Sequence, residues 1–178
     1  MALTATVYRA NVSIIDVDRN YYADHPLTLP CQPSETAVRM MMRVLSFALN
    51  AHEDLTLAQG MLSNEEPDAW QKDLTGAIQM WVEVGQPDEK RILKACGRSA
   101  RVRVYAYHSR PEVWWTPLAP RVQRARNLEV FSVDATAAKG LEAFVSRSFD
   151  IQFTIQDGEV WARNDSSELL IPVTALTI

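Results

Sequence analysis

Two carboxylates lie at either end of an apolar, strand-like run in the middle of the chain. The segment reads Asp73-Leu-Thr-Gly-Ala-Ile-Gln-Met-Trp-Val-Glu83, and Gln86 and Lys90 follow it closely. Carboxylates that a strand or hairpin brings together can bind Mg²⁺ or Mn²⁺, and such a metal activates water and stabilises charge on a phosphate ester. Gln86 or Lys90 would then orient the water or the attacked phosphate. This pattern indicates a metal-dependent phosphodiesterase site.

The alternation of residues in 78–84 determines what Glu83 requires. Period two puts Glu83 on the same face as Gln79 and Trp81, opposite the apolar row. If the strand is covered on one face only, Glu83 faces solvent. If helices cover both faces, Glu83 is partly buried and needs a cation, a metal or hydrogen bonds. The predicted parallel topology favours the second case.

The other acids are more ambiguous. Asp73 lies in a turn-rich approach to the strand and reaches Glu83 only if the loop folds back. Asp68, in the pair Pro67-Asp68, is an alternative for the same role. Aspartates in polar loops mostly cap turns, and a glutamate in the first turn of a helix, such as Glu35, usually complements the helix dipole.

Other chemistries have little support in the sequence. The only two cysteines, Cys31 and Cys96, and the three histidines are scattered without metal-ligand spacing, so a zinc site is not expected. No Ser-His-Asp pattern and no glycine-rich phosphate loop occurs. Trp114 and Trp115 either stack on bases or, more typically of large aromatics, cover the sheet.

The charges are segregated along the chain. The net charge is −4, but residues 90–126 contain ten Lys and Arg against one acid, Glu112, which leaves 8 basic and 21 acidic residues elsewhere. This segregation either forms a polarised surface that attracts a polyanion, or the basic residues pair with the acidic remainder.

The elements that must position these residues follow from periodicity and turn signals. We predict strands over 4–17, 27–29, 55–59, 78–84, 102–107, 128–133, 149–156, 159–163 and 169–173, and helices over 34–50, 87–96, 111–118 and 134–147. Ser34 is the expected N-cap of the first helix. An irregular acidic loop is expected over 64–68.

The middle of the chain alternates strands and helices, which implies right-handed crossovers and parallel strands, and antiparallel hairpins flank it. We therefore expect an α/β fold, a mixed sheet with flanking helices, as one domain over 1–178. With no long apolar run and no secretory signal, the sequence predicts a cytoplasmic protein with reduced cysteines and no membrane association.

Several segments together resemble the YaeQ family of small bacterial, uncharacterised proteins over essentially the whole chain. They are Met1-Ala-Leu-Thr-Ala-Thr-Val-Tyr-Arg-Ala, Pro33-Ser-Glu-Thr, Arg39-Met-Met-Met-Arg, Glu66-Pro-Asp-Ala-Trp70, Trp81-Val-Glu-Val-Gly-Gln-Pro-Asp-Glu-Lys90-Arg, Trp114-Trp115 and Ile155-Gln-Asp-Gly158. The family looks like a variant of the PD-(D/E)XK nucleases, which implies a restriction-endonuclease-like core and a divalent metal between carboxylates.

By this resemblance, Glu35 is the acid of the first core helix, Asp73 the aspartate and Glu83 the strand acid. Asp73 and Glu83 would hold Mg²⁺ or Mn²⁺. Where such nucleases keep a lysine, two residues after the strand acid, this chain has Gly85. Gln86, Lys90 or Lys94 would then supply the missing donor.

Two functions remain open at this point. The first is a divalent-metal-dependent nuclease acting on DNA or RNA, with Arg39, Lys94 and Arg98 contacting the nucleic acid. The second, motivated by Gly85, is a non-catalytic nuclease-fold module that binds nucleic acid or a transcription or repair protein. A hydrolase of small phosphorylated metabolites would need a closed pocket that no sequence feature indicates.

Overall fold

The computed structural model describes residues 4–176, which form two compact units. The first contains the chain up to Ala48 together with Asp134–Val173, and the second contains Leu49–Val133 and the chain from Thr174. The α/β class is as predicted. However, the strands form two mixed sheets instead of one. In the stretch 4–176, no helix is long and apolar enough to cross a membrane.

Eleven strands and four α-helices are described. In chain order they are β1 (Thr6–Asp16), β2 (Tyr21–Cys31), α1 (Ala37–Leu49), β3 (Leu55–Leu57), β4 (Ala69–Lys72), β5 (Ile78–Val84), α2 (Glu89–Arg98), β6 (Ser99–Ala106), α3 (Pro111–Val122), β7 (Leu128–Val133), α4 (Ala135–Gly140), β8 (Ser148–Gln156), β9 (Glu159–Arg163), β10 (Glu168–Leu170) and β11 (Val173–Leu176). Two short 3₁₀ turns cover Gly60–Leu62 and Leu141–Phe144.

The first unit is built on a five-stranded sheet with the order β10-β9-β8-β1-β2. Its strands pair antiparallel except for β1 and β8, which are parallel. Strand β2 is much longer than the predicted 27–29, because it pairs with β1 along its full length. Helix α1 begins later than predicted, and Thr36 rather than Ser34 caps it by accepting from the Arg39 amide at 3.1 Å.

The second unit contains the predicted parallel core. Strand β5 pairs parallel with β6, and β6 with β7, so the two crossovers through α2 and α3 place three adjacent parallel strands in the middle of a six-stranded sheet. Both helices pack on one face of these strands. Their buried side chains meet Trp81, Val102, Val104 and Val130 in a single apolar cluster.

Strand β4 was not predicted, and it positions the candidate site. It is only four residues long and pairs antiparallel with β5, with Ala69 opposite Val82. Such a short strand has too few residues for a period-two signal, and its pairing with β5 defines it. Pro67-Asp68 therefore ends the irregular loop, which is as predicted, and leads directly into β4 next to the end of β5.

The other differences lie at element ends. Helix α3 continues past Leu118 to Val122 despite Pro117 and Pro120, and buried Trp115, Leu118 and Val122 hold it on the sheet. Helix α4 ends at Gly140 and is followed by a 3₁₀ turn, so it is shorter than the predicted 134–147. The predicted strand 169–173 is split into β10 and β11 around Pro172, which lacks an amide hydrogen.

Candidate functional site

Asp68 and Glu83 form an acidic pair where β4 begins and β5 ends. Glu83 is 3% exposed and Asp68 is fully buried. The amide of Asp68 donates to the Val82 carbonyl at 3.0 Å, and Asp68 Oδ2 accepts from the Val84 amide at 2.8 Å. The backbone on both sides of Glu83 thus fixes Asp68, so the two carboxylates lie beside each other at the strand end.

Glu83 is buried, as predicted, but α2 and α3 both cover the one face on which it lies instead of covering the two faces of the strand. Its Oε1 accepts from Trp81 Nε1 and from Arg91 Nε, each at 2.8 Å. Burial, followed by the charge of Asp68, raises the pKa of Glu83 to about 7, against the opposing effect of Arg91. A second cation beside Glu83, in addition to Arg91, would therefore favour its charged form further.

Gly60 closes the other side of Asp68. Its amide donates to the Pro67 carbonyl at 2.8 Å, and its φ is +56°. A Cβ at this position would overlap with Asp68 Oδ1. The turn over Gly60–Leu62 therefore requires glycine to pack directly against the carboxylate.

Arg91 connects this acidic pair to the preceding loop. Besides Glu83, its guanidinium donates to the Ser63 carbonyl at 3.1 Å and the Glu66 carbonyl at 2.8 Å. Asp88 caps α2 by accepting from the Arg91 amide, which fixes the start of the helix. Because each of its three guanidinium nitrogens has a partner on Glu83 or the loop, Arg91 holds the Glu83 carboxylate in place.

Asp73 is not part of this pair, which corrects the expected Asp73–Glu83 arrangement. Its Oδ1 accepts from the Thr75 amide and hydroxyl and from the Ala77 amide, and its Oδ2 accepts from Gln79. These bonds lower the pKa of this exposed carboxyl and fold the turn before β5. Glu83 lies at the opposite end of β5, about 16 Å along the strand from Ile78 at the usual rise per residue. Asp68, the alternative, is the acid next to Glu83.

Glu35 and Arg39 belong to the first unit, where they form an ion-pair cluster. Arg43 donates to both oxygens of Glu35 at 2.9 Å and to the Pro30 carbonyl at 2.8 Å, and Arg39 donates to Glu35 at 3.1 Å. Glu35 also precedes α1 instead of lying in its first turn. The buried Arg43 neutralises the charge of Glu35, and Arg39 forms a second ion pair with the same carboxylate.

Gly85, Gln86 and Lys90 follow the acidic pair. Gly85 has a φ of +105° and donates its amide to the Tyr105 carbonyl at 2.9 Å, so it turns the chain out of β5. Gln86 is exposed and lines a small cleft with His108 and Arg110. Lys90 is exposed in the first turn of α2, on a surface it shares with Asp88, Glu89 and Leu93.

The basic segment is largely ion-paired, so the second interpretation of its charge applies. The cations and their acidic partners are Lys94 and Arg98 with Glu65, Arg101 and Arg103 with Glu129, Arg110 with Glu112, and Arg121 with Glu89. Lys94 and Arg98 also donate to the backbone carbonyls of Asn64 and Glu65. Nucleic acid would have to compete with Glu65 for these two side chains.

The predicted site residues do not include Trp81 or Arg91, and they include Asp68 only as the alternative to Asp73. The i, i+2 spacing of Trp81 and Glu83 indicates that the indole and the carboxylate share a face, but the Arg91 contact depends on how α2 packs.

The other residues considered in the sequence have structural roles. Trp115 is buried and Trp114 donates to the Pro87 carbonyl at 3.1 Å, so both help to cover the sheet. Cys31 and Cys96 are free and partly buried, as expected. Among residues 4–176, no group of three or more acids, histidines or cysteines could hold a metal.

Comparison with known proteins gives one family. The YaeQ protein family model matches residues 1–173. The Uncharacterized protein YaeQ of Escherichia coli (strain K12) is 40% identical over 176 residues, which cover 98% of this chain and 97% of the relative. The crystal structure of YaeQ protein from Xanthomonas axonopodis pv. citri has 42% identity and a TM-score of 0.92, covering 97% of this chain and 98% of that chain. The one from Pseudomonas syringae has 29% identity and a TM-score of 0.93, covering 98% and 97%.

Proposed function

Because this chain belongs to the YaeQ protein family, whose named relatives are uncharacterised, we propose its function from the site itself: a divalent-metal-dependent phosphodiesterase that acts on nucleic acid. The observation that carries the proposal is the buried Asp68–Glu83 pair. Burial, followed by repulsion from the neighbouring Asp68 carboxylate, raises the pKa of Glu83 to about 7. A divalent cation bound between them would remove that cost.

The donor set fits a hard cation of the Mg²⁺ or Mn²⁺ type. Mg²⁺ is commonly bound by one or two carboxylates and completes its shell with water and substrate phosphate, so it does not need a third protein ligand. Asp68 and Glu83 would be the two ligands. Such a metal supplies an activated water and an electrophile for the phosphate oxygens.

The roles of the other side chains follow from their contacts. Arg91 and Trp81 hold the Glu83 carboxylate through Oε1. Gln86 and Lys90, which follow the strand acid closely in sequence, are the candidates to orient water or phosphate in place of the lysine that Gly85 replaces. Asp73 and Glu35 are assigned structural roles instead, since each has a complete set of local hydrogen-bond partners.

The element order also supports the relation to PD-(D/E)XK nucleases. Helix α1, strands β3, β4 and β5, helix α2 and strand β6 follow one another as α-β-β-β-α-β. The first three strands pair antiparallel and the last is parallel to its neighbour β5. We propose on this basis that the core is restriction-endonuclease-like, with Pro67-Asp68 as its aspartate and Glu83 as its strand acid.

The test compares pure wild type with Asp68→Asn and Glu83→Gln, using plasmid, single-stranded DNA and RNA in Mn²⁺ or Mg²⁺. We expect cleavage that falls by about a hundredfold or more in both variants, in line with the loss of a metal ligand. Asp73→Asn is the matched control and should cleave like wild type. Cleavage that survives Glu83→Gln would remove the assignment, and Mn²⁺ calorimetry shows whether the same variants lose metal.

Two observations favour a second function, a non-catalytic module that binds nucleic acid. Arg91 already places a positive charge on Glu83, and Gly85 replaces the lysine expected of an active nuclease. This reading predicts salt-sensitive binding of nucleic acid without turnover. It also predicts no Mn²⁺ binding, and strong Mn²⁺ binding would count against it.

A further inference from the structure

A small cleft lies beyond the ends of the parallel strands β5 and β6. It has a volume of 320 Å³, and its lining residues are Gln86, His108, Ser109, Arg110, Val113 and Trp114. This volume is at the lower end of the range for small-molecule sites. In sheets with parallel strands, ligands generally bind outside the carboxyl ends of the strands, where these loops are located.

The side chains in the cleft are of two kinds. Arg110, His108, Ser109 and Gln86 bring a guanidinium, an imidazole, a hydroxyl and an amide, which are the groups that bind phosphate oxygens. Val113 is 61% exposed, and Trp114 forms an aromatic wall beside it. A ligand that matches both kinds of wall has an anionic phosphate and a flat, apolar ring.

The backbone of the cleft has one residue, Arg110, in a rare conformation. Arg110 has a φ of +56°, a left-handed conformation that side-chain-bearing residues rarely adopt. The Tyr107 and His108 rings stack at 4.5 Å, and the Trp114 indole is fixed by its hydrogen bond to the Pro87 carbonyl. Retained strain of this kind is typical of sites that position a ligand.

We infer that this cleft binds one nucleotide unit, with the phosphate on Arg110 and His108 and the base against Val113 and Trp114. The inference rests on the proposed function, because the bound nucleotide would be a unit of the nucleic acid substrate. The cleft is close to the acidic pair in sequence, since its lining residue Gln86 lies three residues after Glu83. The lining residues include no acid. Arg110 forms an ion pair with Glu112 at 3.6 Å, so a phosphate would have to displace this exposed carboxylate from the guanidinium.

The test is calorimetric titration of the full chain with adenosine 5′-monophosphate, adenosine and inorganic phosphate. The key variant is Arg110→Gly, because glycine keeps the left-handed backbone while it removes the guanidinium. We expect wild type to bind the nucleotide more tightly than either fragment. Arg110→Gly should weaken nucleotide binding by about tenfold or more, the usual effect of losing a charged hydrogen bond.

Two further variants make the result specific. Arg124→Gly removes an exposed arginine elsewhere in the second unit and should bind the nucleotide like wild type. Val113→Asp puts a negative charge on the exposed wall and should weaken nucleotide binding without unfolding the chain. Equal affinity in wild type and Arg110→Gly, or no nucleotide binding at millimolar concentration, overturns the inference. Nucleotide binding without cleavage rejects the proposed catalysis and keeps the cleft, whereas cleavage without nucleotide binding does the reverse.

Discussion

Arg91 donates its Nε to Oε1 of Glu83 at 2.8 Å, across the junction between α2 and the end of β5. The carboxylate side chain is 4% exposed and the guanidinium side chain 22%. The charge of Asp68 acts on the same carboxyl and opposes the effect of Arg91 on its pKa. The energetics of this small group therefore depend on one cation, two carboxylates and any further ligand that binds there. Three predictions test this dependence, and two more concern the ion pairs of Glu65 and Glu35.

The first prediction concerns pH. An acid whose pKa is raised in the folded state, as for Glu83 from 4.5 to about 7, binds a proton more readily folded than unfolded. The contribution of Glu83 to the free energy of unfolding therefore decreases by about 3 kcal/mol as the pH rises from 4.5 to 7 and does not change further above pH 7. Denaturant titrations at several pH values measure this free energy, and in Glu83→Gln the decrease should be absent. Asp73→Asn is the control, since the lowered pKa of Asp73 acts only below about pH 4.

The second prediction concerns Arg91. Removing one partner of a buried ion pair leaves the other charge uncompensated, which costs about 3–5 kcal/mol in fully buried cases. Arg91 is part-exposed, so Arg91→Gln should cost less than that range. If a divalent cation binds the same carboxylates, Mn²⁺ should raise the melting temperature of Arg91→Gln more than that of wild type. Arg121→Gln, which breaks an exposed pair with Glu89, should show neither effect.

The third prediction separates packing from backbone strain at Gly60. Gly60→Ala and Gly76→Ala both place a side chain at a positive φ, but only at Gly60 does the new Cβ meet a carboxylate. We expect both to be destabilised by about 1 kcal/mol from the backbone, and Gly60→Ala to lose further stability and to displace Asp68. Thermal melts measure the first effect and Mn²⁺ calorimetry the second. Equal behaviour of the two variants would show that Gly60 does not support the site.

The fourth prediction concerns the acidic residue that occupies Lys94 and Arg98. Glu65→Gln should release both cations and strengthen binding of single-stranded DNA, with a steeper dependence on salt because more phosphates are contacted. Fluorescence anisotropy at several salt concentrations measures it. Glu53→Gln carries the same change in net charge at an exposed position, and a similar gain there would attribute the effect to net charge alone.

The fifth prediction concerns Glu35. Glu35→Gln leaves Arg43, which is 5% exposed, without its ionic partner. We expect a loss of about 3 kcal/mol or more in the free energy of unfolding, measured by denaturant titration. Mn²⁺ affinity should not change in folded Glu35→Gln. A loss of Mn²⁺ affinity without loss of stability would contradict the structural role assigned to Glu35.

The sequence defined most of the central architecture. Strands β5 and β7 and strand β9 have the predicted bounds, and the alternation of strands and helices predicted the parallel core. These features depend on local periodicity and on the handedness of crossovers, which neighbouring residues encode. The burial of Glu83 followed from the same reasoning.

The tertiary structure decided which residues meet. Asp73 and Asp68 look alike in the sequence, since both are aspartates in polar loops before β5. Only the pairing of β4 with β5, through Ala69 and Val82, places Asp68 next to Glu83. The docking of α2 then decided that Arg91 reaches this carboxylate, while Glu65 occupies Lys94 and Arg98. These contacts join residues 8 to 33 positions apart, and local patterns carry no information about such pairings because they depend on how whole elements pack.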